Sequence, residues 1–292
     1  MTPYFPKAMI LTSLLTLAAC GGGGGDGDGS GGGGTPVPGS NGLNYGMAGQ
    51  QLEDAEGVAV SMSSASFQVG SGPDIGGATI TVNANFFDGG TQNLDGTIQI
   101  FGQSVTITNG VGALSTGEEV RLTYEPNRSG TYAAAVDATV SSLNDINGEA
   151  AYVFGFETNP ATVNARTAGV VTYSGDFQAT GSVGGSAALT EYEGGITVVV
   201  SFADDDADFT LDGTFNGTQN VDLGRNNVNF SGYSITTGLN CTSGCSGTGS
   251  SVDATFYGPN ADELGGVLEI DINVNGVGAY DGVGTFVIDP NP

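Results

Sequence analysis

Three cysteines, a run of alternating aspartates and a complete lack of histidine define the chemistry open to this chain. Cys241 and Cys245 stand three residues apart in a segment rich in glycine, serine and threonine. In an exported chain such a pair reads as a small loop disulfide. The other reading is a metal or redox pair, but the spacing is not the two-residue one and no further ligand cluster accompanies it. Asp204, Asp206 and Asp208 alternate as in a calcium loop. Phe209 stands where such a loop needs glycine, and no glutamate follows at the bidentate position, so a solvated acidic hairpin is the expectation. Without histidine there is no Ser-His-Asp or Cys-His catalysis and no His-ligated zinc or haem. Lys7 is the only lysine and precedes the mature region described below, which removes Ser-Lys dyads and Schiff bases. Paired carboxylates remain formally open, yet no tryptophan is present to line a sugar cleft. No enzymatic activity and no cofactor are expected.

The third cysteine, Cys20, closes the sequence Leu17-Ala18-Ala19-Cys20, after Lys7 and an apolar run from Ala8 to Leu17. This is the layout of a short secretory signal and is too short for a membrane span. A leucine, two small residues and a cysteine resemble the bacterial lipobox, whose cysteine is diacylated and becomes the first residue after cleavage. Cys20 is therefore the expected lipidation site, with an ordinary signal peptide cut after Ala19 as the alternative. Gly21 to Gly34 is almost all glycine, broken by Asp26, Asp28 and Ser30. Such a stretch buries no apolar area and behaves as a flexible coil, giving a tether whose typical end-to-end distance over about 20 residues is roughly 25 Å. Gly21, rather than aspartate, follows the cysteine, which favours outer-membrane delivery. The expected division is a signal peptide over 1–19, a Gly-rich tether over 20–48, a β-rich handle-like domain over 49–160 and a β-barrel over 161–292.

Beyond the signal the only cations are Arg121, Arg128, Arg166 and Arg225, against 31 acids. A polyanion of this kind repels nucleic acid and anionic lipid head groups and stays soluble at high ionic strength, so nucleic acid is not an expected partner.

The elements that must position these residues read as strands. From about residue 50 the chain consists of short alternating runs separated by glycine, asparagine and aspartate, and the fold class is all-β. Ile196, Val198, Val200 and Phe202 share one face of a strand that forms a hairpin with Phe209–Phe215 across the acidic turn. Gly169–Gly181 and Asn226–Ile235 supply further strands, as do Leu268–Val274 and Gly284–Ile288, with turn signals at Asn275-Gly276 and Asp281-Gly282. The stretch after Arg166 has room for eight antiparallel strands, and closing them removes the exposed edges. Gly77–Phe87, Thr97–Thr108, Glu119–Tyr124 and Tyr132–Val140 make a smaller β-rich unit before the Pro160 region. Phe177, Phe202, Phe215, Phe230, Phe256 and Phe286 fall on strand patterns and are expected in the core.

The densest pattern is Phe256-Tyr257-Gly258-Pro259-Asn260-Ala261-Asp262-Glu263-Leu264-Gly265-Gly266. It reads as a strand end, a sharp turn and one helical turn, in which Asn260 and Glu263 form a capping box and Leu264 points inward. Gly265 and Gly266 are expected to supply unusual dihedrals at the exit. The segment resembles the signature of the transferrin-binding protein B barrel family, with Phe256, Tyr257, Gly258, Pro259, Ala261, Glu263, Leu264, Gly265 and Gly266 at the motif positions. Tyr152–Pro160 and Ala168–Gly175 resemble the family's entry into its barrel, so the resemblance covers roughly residues 150–290.

The resemblance implies an eight-stranded antiparallel barrel preceded by a β-rich handle, on an outer-membrane surface lipoprotein held by its lipid anchor. It also implies capture of a protein ligand, or of a haem or iron carrier, in nutrient acquisition. A surface lipoprotein assembly modulator is the implied accessory partner, and a TonB-dependent receptor encoded beside it would favour uptake over display alone. One handle and one barrel make half of a two-lobed receptor, and no ligand-binding residue carries over, because recognition in the family lies on variable loops. Two other readings stand beside this one: a structural or adhesive surface lipoprotein without a soluble ligand, and a lipocalin-like barrel holding a small apolar molecule such as haem through tyrosine.

Overall fold

The computed structural model describes residues 58–68, 71–82, 94–140 and 148–291. The signal, Cys20 and the Gly-rich tether lie outside them. The described chain is nearly all β, in two antiparallel sheets that belong to one compact unit.

The first sheet has eight strands: β1 (Val58–Gln68), β2 (Ser71–Val82), β3 (Leu94–Ile100), β4 (Gln103–Ile107), β5 (Val111–Ala113), β6 (Glu119–Glu125), β7 (Ala133–Val140) and β8 (Gly148–Gly155). Their spatial order is β4-β3-β2-β1-β8-β7-β6-β5, and a bridge between Thr108 and Val111 joins the two ends through the β4–β5 turn. The sheet thus curls around its own core of Leu94, Ile98, Ile100, Val105, Val120, Leu122, Val136, Tyr152 and Phe154. A short helix, Pro160–Asn164, follows. Asn159 caps it by accepting a hydrogen bond from the Ala161 N–H, and Pro160 occupies the first turn, where a missing N–H costs nothing.

The second sheet begins with β9 (Val170–Val183), β10 (Leu189–Ser201), β11 (Asp206–Phe215) and β12 (Gln219–Asn229). It continues with β13 (Ser234–Gly238), β14 (Asn240–Ser243), the short β15 (Cys245–Ser246), β16 (Ser251–Tyr257), β17 (Glu263–Val274) and β18 (Gly278–Pro290). Strands β13 and β14 are one stretch of chain bent at Leu239: the first half pairs with β16 and the second with β12. With that kinked stave counted once, the order β13/β14-β16-β17-β18-β9-β10-β11-β12 is an eight-stave, nearly closed barrel. Alternation drives it. Ile196, Val198 and Val200 on β10, Leu264, Leu268 and Ile270 on β17, and all six phenylalanines expected in the core are buried inside.

Two strand expectations are corrected. Asn226–Ile235 is not one strand; it contains the end of β12, a turn and the start of β13. Asp281-Gly282 is not a turn but lies within β18, where a Cβ on residue 282 would stand 2.9 Å from the Thr180 carbonyl oxygen of the neighbouring β9. That glycine serves a close approach of strands, which composition cannot tell from a turn.

β7 and β8 explain how the sheets join. Every residue of β8 is buried, because its two faces meet different partners. Tyr152 and Phe154 enter the first sheet's core, while Ala151 and Val153, with Ala133 and Ala135 of β7, meet Tyr257, Val267 and Val283 on the barrel's outer wall. Alanines on that face let the two backbones come close. The barrel's pattern changes at the same place: β17 is buried from Glu263 to Leu268 and then alternates with exposed Asp271 and Asn273.

Candidate functional site

The signature turn is the hinge of this junction. Tyr257 bridges to Glu157, the Thr158 N–H donates to the Phe256 carbonyl, and the Gly258 N–H donates to the Phe156 carbonyl. The Thr158 hydroxyl closes on the Gly258 carbonyl at 2.7 Å. No helical turn forms. Gly258 (φ +82°) and Ala261 (φ +55°) carry the left-handed dihedrals, and the Asp262 N–H returns to the Tyr257 carbonyl.

Glu263 therefore does not complete a capping box with Asn260. Its carboxylate leaves the turn and accepts from the backbone N–H groups of Thr131, Tyr132 (3.0 Å) and Ala133 (2.9 Å), at the entry to β7. The Asn260 N–H is taken by Asp262 at 3.0 Å. Burial pushes the Glu263 carboxyl up to about 7, with the three N–H donors pulling the other way. Gly265 and Gly266 have no left-handed dihedrals; they sit in β17, where side chains would strike Tyr257, Val153 and Phe286. Leu264 is buried in the barrel core.

Beside this hinge lies a charge network spanning the two sheets. Arg128, only 4 % exposed, donates to Asp137 at 2.6 Å and lies 3.5 Å from Glu125, while its other nitrogen reaches the Thr285 hydroxyl on β18. Burial raises Asp137 despite that arginine. Glu149, on β8, is pushed up to about 8 by burial and then by Asp137, with Arg128 opposing. Its carboxyl is therefore harder to ionise than an ordinary glutamate's. The network backs a cleft of about 420 Å³ between Glu125, Asn127 and Arg128 on one side and Asp176, Gln178 and Glu193 of the barrel on the other.

The barrel interior is filled rather than hollow. Phe177 and Tyr192 meet edge to face at 4.9 Å and Phe215 and Tyr280 at 5.0 Å, with Phe202, Phe230 and Phe256 clustered at the other end. The hydroxyls of Tyr173, Tyr192 and Tyr280 donate to the carbonyls of Ala261, Val221 and Thr190. Tyrosines so engaged have no free hydroxyl for a haem iron, which counts against the lipocalin-like reading.

Cys241 and Cys245 are joined as a disulfide. In the acidic hairpin, Asp204 accepts from the Ser201 hydroxyl and Asp208 from the Asn227 N–H, so both carboxylates fasten the strand ends. No group of three or more potential metal-ligating side chains stands together among the described residues.

The chain is similar in structure to transferrin-binding protein B. A mutant of that vaccine antigen from Haemophilus parasuis aligns over 78% of this chain and 44% of its own, with 13% identity and a TM-score of 0.49. The isotype 1 protein from serogroup B Neisseria meningitidis aligns over 79% and 43%, with 12% identity and a TM-score of 0.43. The chain spans less than half the length of these proteins. No family description and no curated protein matches the sequence. Sequence reasoning missed the contact of Arg128 with Thr285 and the reach of Glu263 to Thr131–Ala133, since more than a hundred residues separate those partners and no local pattern links them.

Proposed function

We propose that this chain is an outer-membrane surface lipoprotein, anchored through Cys20, that captures a protein ligand on its outer surface and does no chemistry on it. The observation that carries the reading is the signature turn, whose residues Phe256 to Gly266 build the joint between a handle-like sheet and a barrel. The filled barrel supports the same reading, because ligand contact then falls to loops, the outer wall and the junction cleft. A haem or iron carrier is the partner class in view, with a surface lipoprotein assembly modulator for export and a TonB-dependent receptor for uptake. Division at residue 160 into a handle and a barrel is part of the proposal.

Protease shaving of intact cells tests it, with a Cys20→Ala control. Cleavage of the wild type, together with loss of the control from the cell surface, supports capture. Protection of the wild type in intact cells, with cleavage after lysis, overturns surface capture and indicates a periplasmic role.

A further inference from the structure

The barrel's outer wall carries a second concavity, of about 460 Å³, lined by Phe209, Thr210, Leu223, Gly224, Arg225, Asn226, Asn240 and Thr242. The side chains of Phe209 and Leu223 are fully buried, so these residues offer backbone only. Thr210, Gly224 and Asn240 lie side by side across β11, β12 and β14 in register. With no side chain at Gly224, the wall dips there: a Cβ would stand 3.0 Å from the Phe209 carbonyl oxygen and 3.7 Å from the Thr242 methyl.

The dip is held rigid on both sides. The disulfide closes a loop with a sequence separation of four, and its strand pairs with β12 at Leu223 and Gly224. A loop this short constrains little of the unfolded chain, so its cross-link acts mainly on local order, here on the wall that carries Asn240 and Thr242. On the other side the extra residues of the β12 bulge are pinned by the Asn227 N–H donating to Asp208 at 2.7 Å, with Asn227 at φ +55°. Asn226 and Arg225 are exposed beside that pin.

Arg225 differs from the other arginines. Arg121 pairs with Glu119, Arg128 with Asp137, and Arg166 donates to the Asn260 carbonyl and lies over the Phe202 ring. Among the described residues no ion pair or hydrogen bond holds the Arg225 guanidinium, although the chain has 31 acids. A planar fork of N–H donors suits a carboxylate. Around it stand two amides and two hydroxyls, each able both to donate and to accept, which is what a ligand dense in hydroxyls requires. No apolar side chain is offered to a hydrocarbon.

We propose that this groove binds an acidic sugar unit, its carboxylate on Arg225 and its hydroxyls on Thr210, Asn226, Asn240 and Thr242. The site does not rest on surface display, so the shaving experiment and the one below fail separately. The chain's overall negative charge repels an acidic glycan at long range, and about 0.15 M salt screens that repulsion beyond roughly 8 Å while leaving the contact pair in place.

The test is saturation-transfer NMR on the full lipidated chain in detergent, with a galacturonate oligosaccharide and a neutral galactose oligosaccharide of equal length. The expected result is saturable binding of the acidic sugar, at least about tenfold weaker for the neutral one and at least about tenfold weaker for Arg225→Gln. Thr242→Val, which keeps shape and loses a hydroxyl, weakens binding while circular dichroism stays unchanged. No binding of the acidic sugar, equal binding of the two sugars, an unaffected Arg225→Gln variant, or equal competition by free acetate overturns the proposal.

Discussion

At the residue scale, Glu149 and Glu263 show what burial does to an acid. Both are held above the ordinary glutamate value, near 8 and 7. A folded-state pKa above the unfolded one means that the folded form binds the proton more tightly. The corresponding stability is complete below about 4.5 and is lost as pH rises through 7 to 8. Thermal melts of the wild type should therefore fall across that window, by an amount on the order of a few kcal/mol, and Glu149→Gln should flatten the upper part of the decline. Glu263→Gln makes a separate prediction. The amide nitrogen would face N–H donors where a carboxylate oxygen now accepts, costing about 1–3 kcal/mol in urea unfolding. These two acids illustrate what the sequence hides. Glu263 was legible as part of a signature, but its partners Thr131 to Ala133 were not, because a carboxylate's hydrogen-bond partners are set by which chain segment folds against it.

At the element scale, β7 and β8 have two buried faces, and the small residues on one of them let the handle-like sheet meet the barrel. Ala151→Leu adds volume between Val153's sheet and the outer wall around Val267, and overpacking there should cost about 1–3 kcal/mol in denaturant unfolding. The Cys241→Ser, Cys245→Ser double variant should lose at most about 2 kcal/mol, since the closed loop is short. Its larger effect should be local, as faster amide exchange over residues 240–246. The alternation of β10, β11 and β17 was readable directly, because each has one face in the barrel and one toward solvent or the other sheet. Asn226–Ile235 was not, since a turn built from phenylalanine, serine, glycine and tyrosine (230–233) interrupts apolar residues at the spacing a strand would have.

At the scale of the whole molecule, the two sheets share a buried seam and should unfold together. A fragment limited to residues 161–292 would expose Tyr257, Val267, Val283 and Val287, and should bind a hydrophobic dye and self-associate, whereas the full chain should not. The net charge of −26 gives another expectation: self-repulsion opposes the compact state, so the melting temperature should rise with added sodium chloride.

Sequence alone determined that no histidine, and no lysine beyond Lys7, is available for chemistry, along with the all-β class and the alternating faces of most barrel strands. These follow from residue types and from a period of two, both local properties of the chain. It also marked Phe256–Gly266 as a turn of special geometry. Tertiary structure decided how the barrel closes on a stave bent at Leu239 and why Gly265 and Gly266 are bare. It also decided where the Glu263 carboxylate lands and that Arg128 reaches Thr285 on β18. Each of these depends on segments far apart in the chain being brought within a few ångströms, and no local pattern encodes that distance.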